Sequence, residues 1–170
     1  MKFNNIALIG FMGSGKSTIG RILSKKLGLL FIDIDKVIQL SEGKSIGEIF
    51  RSCGEEYFRK IETKVIKKIF LNKNCVFACG GGAVKSKENI NVIRKNSIIV
   101  YLYISSEEAY IRLKEVKDRP LLEVKDRQGA IKKMIEDREI LYRKSADVTV
   151  DNTKKKPEIV ASEIISKLYN

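Results

Sequence analysis

The chain contains no histidine. That excludes imidazole general bases, histidine-containing triads and most zinc sites, since histidine is the side chain that titrates near neutrality and the commonest metal ligand. Any catalysis must use carboxylates, lysine, arginine, backbone dipoles and a bound cation. Cysteine is scarce. Cys53, Cys75 and Cys79 are an odd number, two of them lie in one apolar run, and all three read as buried thiols in a reducing compartment. No apolar run is long enough to span a bilayer. The first residues lead into a strand without a charged-then-apolar leader, so the expectation is a cytoplasmic protein. Low-complexity tracts and internal repeats are absent, and 170 residues suit one domain with a full core.

Acidic residues are the minority: 33 Lys and Arg against 21 Asp and Glu, a net charge of +12. A basic chain raises the question of nucleic acid. The lysines are scattered, however, as in Lys64-x-x-Lys67-Lys68 and Lys132-Lys133. No basic run is interleaved with aromatics, and no nucleic-acid module is visible. The charge is read as solvated lysine plus a field that attracts a polyanionic nucleotide. A nucleotide-dependent binding module with salt-sensitive nucleic-acid affinity stands as the non-enzymatic alternative.

What is present is most informative at Gly10-Phe11-Met12-Gly13-Ser14-Gly15-Lys16-Ser17, which fits G-x-x-x-x-G-K-[ST]. The apolar run Ile6–Ile9 precedes it, and apolar side chains at helical spacing follow from Thr18 to Leu27. Strand, glycine loop and helix are the context such a loop requires. Its backbone N–H groups converge on one oxyanion at a helix N-terminus, Lys16 reaches the β- and γ-phosphates, and Ser17 ligates Mg²⁺.

Strand-like and amphipathic helical stretches alternate along the rest. Strands are expected at 29–33, 75–79, 98–102 and 148–150, and helices near 35–40, 46–50, 55–71, 87–94, 107–113 behind a Ser106 cap, 128–144, and from Pro157 onward. This alternation predicts a three-layer α/β sandwich with a five-stranded parallel sheet flanked by helices. Residues 115–127, charged and poor in apolar anchors, form the expected moving segment.

Several clusters then invite chemical readings. Asp33-Ile34-Asp35 ends the second strand, the edge at which parallel sheets bind ligands. If extended geometry continues, both carboxylates share a side, one to hold Mg²⁺ through water and one to accept a proton. The other reading makes Asp35 a helix N-cap. Arg59 and Glu62 share a helix face, either as a surface ion pair or as an arginine oriented to grip a carboxylate. Gly80-Gly81-Gly82 follows a strand and permits close approach of a ligand, or simply makes a sharp turn. Arg119 lies in the expected lid, and Arg138 precedes Leu141-Tyr142; each taken singly reads as a solvated side chain.

Taken in order, Gly-Phe-Met-Gly-Ser-Gly-Lys-Ser, Asp-Ile-Asp, Phe-Arg-Lys-Ile-Glu, Gly-Gly-Gly, Arg-Pro-Leu-Leu and Arg-Glu-Ile-Leu-Tyr resemble the shikimate kinases at matching separations over nearly the whole chain. The resemblance implies a P-loop, nucleoside-monophosphate-kinase-like fold. It also implies transfer of the ATP γ-phosphoryl group to the 3-hydroxyl of shikimate, a step toward chorismate and the aromatic amino acids. A single domain over 1–170 would carry the phosphate loop at 10–17, a substrate-binding helical region at about 34–62 and a lid at about 115–127.

Carried over by position, Gly13, Ser14, Gly15, Lys16, Ser17 and Thr18 would wrap the ATP phosphates, and Arg119 would close over them. Arg112 and the loop around Lys155 would bracket the adenine. Ser17, and Asp33 through water, would hold Mg²⁺. Asp35 would be base or orienter for the acceptor hydroxyl. Arg59 and Arg138 would clamp the shikimate carboxylate, with Glu62 holding Arg59. Gly80, Gly81 and Gly82 would lend backbone groups, and Phe50 and Phe58 would wall the ring. The implied partners are ATP and shikimate, without nucleic acid or membrane, and the protein is expected to be a monomer. Two departures stand out. Ala78 occupies a position where many phosphate-loop proteins carry a magnesium-directed Asp, and Lys155 stands where the family often has arginine. Gluconate-type and nucleotide kinases of the same fold remain the enzymatic alternatives.

Overall fold

The computed structural model describes residues 5–116 and 120–169. In chain order the elements are β1 (Ile6–Ile9), α1 (Lys16–Leu27), β2 (Leu30–Asp33), α2 (Ile34–Glu42), α3 (Ile46–Ile69), β3 (Cys75–Ala78), α4 (Lys87–Asn96), β4 (Ile98–Tyr103), α5 (Ser106–Leu113), α6 (Arg127–Ser145), β5 (Val148–Asp151) and α7 (Pro157–Tyr169), with 3₁₀ turns at Ala83–Lys85 and Pro120–Leu122. All strand pairs are parallel, in the order β2-β3-β1-β4-β5. From the central β1 the chain runs out to the edge strand β2, returns to insert β3 between the two, then crosses to build β4 and β5 on the other side. The crevice at this reversal, beyond the carboxyl ends of the strands, is where ligands bind such sheets.

Alternation along β1 assigns its side chains to two cores. Ala7 and Ile9 pack with Ile38, Phe58, Ile66, Phe77 and Ile93, beneath α2, α3, α4 and α6. Ile6 and Leu8 pack with Ile19, Leu23, Val160 and Ile164, beneath α1 and α7. Helices therefore cover both faces, as parallel sheets require. A third cluster lies at the carboxyl edge, where Phe11 of the phosphate loop meets Ile104, Leu113, Leu122, Ile131 and Ile135.

Several expectations need correction. The helix after the phosphate loop begins at Lys16 rather than Thr18. Ser105, not Ser106, caps α5 by accepting from the Glu108 N–H. Within α3, Gly54 leaves helical geometry (φ 82°, ψ 170°), which marks the boundary expected between two helices. Of the stretch expected to move, residues 120–127 are better anchored than their polarity implied, because Leu122 is buried in the third cluster and Arg127 already belongs to α6. Arg119 lies outside the described residues. Cys75 and Cys79 are buried as expected, but Cys53 is exposed beside the Gly54 break. Among the described residues, no helix is long and apolar enough to cross a membrane.

Candidate active site

The phosphate loop leaves the central strand and turns on three glycines with positive φ, at 10, 13 and 15. Gly10 is also sterically obligatory, since a Cβ there would sit 2.6 Å from the Leu102 carbonyl oxygen. Lys16 folds back over the loop, its Nζ donating to the carbonyls of Gly10 and Phe11 at 2.8 Å each. Ser17 Oγ donates to Asp33 Oδ2 at 2.6 Å.

Asp33 ends β2 and caps α2 through the Lys36 N–H. The strand thus stops before Asp35, and Asp35 enters the site from the first turn of a helix, not by strand alternation. The cap anticipated at Asp35 belongs to Asp33. Both carboxylates still line one cavity of about 590 Å³ at the carboxyl edge of the sheet.

Opposite the phosphate loop, α3 carries Arg59 between two acids. Arg59 Nη1 donates to Glu62 Oε2 at 2.8 Å, and Nε and Nη2 donate to Glu55 Oε1 at 3.2 and 3.1 Å. This is no solvent-facing ion pair, because the Glu62 side chain is fully buried. Burial opposes the charge of Arg59, but the two carboxylates outweigh it and raise its pKa. Burial pushes the Glu62 carboxyl up against the pull of Arg59, with Asp35 adding repulsion. Among the described residues, no donor reaches Glu62 Oε1.

Each glycine of 80–82 answers to a different neighbour. A Cβ on Gly80 would lie 2.5 Å from Glu62 Oε1 and 3.0 Å from Asp35 Oδ1; on Gly81, 3.3 Å from the Met12 nitrogen; on Gly82, 2.3 Å from Arg59 Nη2. A simple turn needs no such run. Arg138 is 7% exposed, contrary to the solvated reading. Its Nη1 donates to the Gly81 carbonyl at 3.4 Å, an acceptor shared with the Tyr142 hydroxyl. Burial raises the Tyr142 pKa to about 12, so it stays a donor. Phe50 and Phe58 stand with ring centroids 4.8 Å apart, across the Gly54 break.

At the other end, Arg112 donates to Glu108, to the Gly13 carbonyl and to the Asn152 carbonyl, and Lys155 pairs with Glu163 at 2.8 Å. Gly13, Gly15, Lys16, Ser17, Thr18, Asp33, Asp35, Phe50, Phe58, Arg59, Glu62, Gly80, Gly81, Gly82, Arg112, Arg138 and Lys155 all line the cavity. Ser14 does not, being buried beneath the loop. The sequence reading passed over Glu55, Tyr142 and Asn152. An acid four residues before Arg59 was the one available signal for Glu55; Tyr142 closes the Arg-Glu-Ile-Leu-Tyr motif, and nothing local marked Asn152.

The lining cations are Lys16, Arg59, Arg112, Arg138 and Lys155, against the carboxylates of Asp33, Asp35 and Glu62. That balance suits two anionic ligands in one cavity, one along the phosphate loop and one between the arginines. Ser17 and Asp33 present only hard oxygen donors, which fit a magnesium ion completed by phosphate and water. Among the described residues, no cluster of three or more acidic or thiol ligands could enclose a metal unaided.

Comparison with known proteins agrees with this geometry. A family model described as shikimate kinase matches residues 12–169. The chain is 44% identical over 165 residues to a shikimate kinase of Dehalococcoides mccartyi, covering 97% of this chain and 93% of that one. The shikimate kinase of Acinetobacter baumannii in complex with shikimate superposes with a TM-score of 0.95 at 35% identity, over 98% of this chain and 93% of that one. A deoxyadenosine kinase from M. mycoides, at 20% identity and a TM-score of 0.63, shares the fold over 98% of this chain and 100% of its own. Matched by that family model and by such a relative over nearly its full length, the chain belongs to the shikimate kinase family.

Proposed function

We propose that the cavity transfers the γ-phosphoryl group of ATP to the 3-hydroxyl of shikimate, with roles divided along its length. The supporting observation is that the phosphate loop, Asp35, Arg59 and Arg138 all open into one space of about 590 Å³. ATP lies along Gly13–Thr18, with Arg112 and Lys155 on the adenine side. Lys16 exchanges its loop carbonyls for β- and γ-phosphate oxygens, a preformed cation waiting where charge must be neutralised. Ser17, and Asp33 through water, hold Mg²⁺, which supplies electrostatic neutralisation of the phosphates when bound.

Shikimate places its carboxylate between Arg59 and Arg138 and its ring against Phe50 and Phe58. Glu62 keeps Arg59 in place, and Gly80–Gly82 let the substrate approach the backbone. Asp35 orients the 3-hydroxyl in line with the γ-phosphorus. As the new O–P bond forms and the bond to the β-phosphate oxygen breaks, Asp35 accepts the hydroxyl proton and ADP leaves. Phosphoryl transfer asks for positioning and charge neutralisation more than covalent chemistry, which suits a site without histidine. Residues 34–62 act as the substrate region, and 115–127 with Arg119 as a lid that excludes water. The enzyme acts in the cytoplasm as a monomer, without nucleic acid or membrane. A coupled assay with ATP, Mg²⁺ and shikimate tests the reaction; ADP release no faster with shikimate than without it defeats the reading. Asp35→Asn tests the assignment of the base, with turnover collapsing while ADP affinity stays near that of the parent.

A further inference from the structure

We infer that Asn152 is a positioning residue for the phosphate loop, tying it to Arg112 on the nucleotide side of the cavity. The inference rests on the kinase reading above. Asn152 follows β5 and is 2% exposed. Its Nδ2 donates to the Ser14 carbonyl at 2.6 Å, across 138 residues of sequence. Its own backbone carbonyl accepts from Arg112 Nη2 at 3.1 Å, and Arg112 Nη1 donates onward to the Gly13 carbonyl at 3.3 Å. Gly13, Ser14, Asn152 and Arg112 thus close a ring of contacts that joins the phosphate loop, α5 and the segment after β5.

The ring has a mechanical meaning. The Ser14 carbonyl and the Gly15 N–H share one trans peptide plane, so holding the carbonyl fixes the direction of that N–H. Gly15 lines the cavity, and its N–H is of the kind a phosphate oxygen needs. Gly15 also approaches the amide so closely that a Cβ there would lie 3.1 Å from Nδ2. Asn152 Oδ1 is buried, and among the described residues it meets no donor. A half-satisfied buried amide is costly to the fold, and the contact it does make is to the loop that would grip the nucleotide.

The test compares the parent with Asn152→Leu, which keeps the bulk and removes the donor. Calorimetric ADP binding and initial rates over ATP at saturating shikimate are measured on both. The expected result is a rise of about 10-fold in ADP Kd and ATP KM, with shikimate KM and kcat nearly unchanged. A rise below about threefold, or an equal rise in shikimate KM, overturns the inference by reducing Asn152 to a general brace of the fold. If leucine prevents folding, Asn152→Ser, whose hydroxyl falls short of Ser14, carries the same expectations. A parent that binds no ADP defeats the kinase reading itself and is thereby distinguished.

Discussion

Gly82→Ala isolates the placement of Arg59 from its presence. Gly82 has φ −102° and ψ −3°, which alanine adopts without strain, so the backbone imposes no penalty. The new methyl would lie 2.3 Å from Arg59 Nη2 and 2.5 Å from Cζ and Nη1. Ordinary contact requires the guanidinium to retreat by about 1 Å. It must do so against its bonds to Glu62 and Glu55, at 2.8 to 3.2 Å. A misplacement of about 1 Å in a substrate-positioning group costs about 100-fold in rate, or ~2.7 kcal/mol of transition-state stabilisation. Loosening the bond to buried Glu62 should lower the unfolding free energy by a further ~1–3 kcal/mol. The kinetic assay is coupled ADP release over a range of shikimate concentrations, and kcat/KM for shikimate should fall about 100-fold while ATP KM holds. A double-mutant cycle with Arg59→Ala gives the decisive comparison, because once the guanidinium is gone the methyl has nothing to displace. An equal loss from Gly82→Ala in both backgrounds would refute the steric argument.

Three further outcomes are expected. Arg138→Ala should weaken shikimate binding by ~2–5 kcal/mol, through leaving a buried carboxylate short of a partner, and leave ADP binding intact; titration of each ligand checks it. A thiol reagent should label Cys53 quickly in the native protein and spare Cys75 and Cys79, whose thiols burial pushes up; peptide mapping after brief labelling reads this out. Glu62 should make stability fall as pH rises from about its ordinary 4.5 through its raised folded value, since in that window the native state binds the extra proton. Denaturant midpoints between pH 4 and 8 should therefore decline less in Glu62→Gln than in the parent.

The parts of the site that could be read from the sequence are those whose meaning is local. Gly10 to Ser17 forms a loop because each glycine supplies a torsion or a close approach that its neighbours require. Pro157 opens a helix for an equally local reason. Asp33 and Asp35 show where local reasoning fails: extrapolating a strand gave the right cavity by the wrong route, because Asp33 stops β2 and caps α2. Arg138 could not be told from a surface arginine without knowing that Phe11, Gly81 and Tyr142 converge around it. Leu122 looked like part of a polar lid, since its partners Phe11 and Ile135 are distant in sequence. Asn152 carries no pattern at all, its hydrogen-bond partner lying 138 residues away.

The break at Gly54 carries a design consequence. A Cβ there would meet open space, so the glycine is required by torsion rather than by crowding. Phe50 and Ile46 lie before this joint, and Phe58, Arg59 and Glu62 lie after it. On the proposed reading of the acceptor site, its Phe50 wall can therefore be re-angled by resetting one dihedral pair, while Phe58 and Arg59 stay where they are. An engineer seeking to admit a bulkier acid would start at that joint and leave the arginines alone.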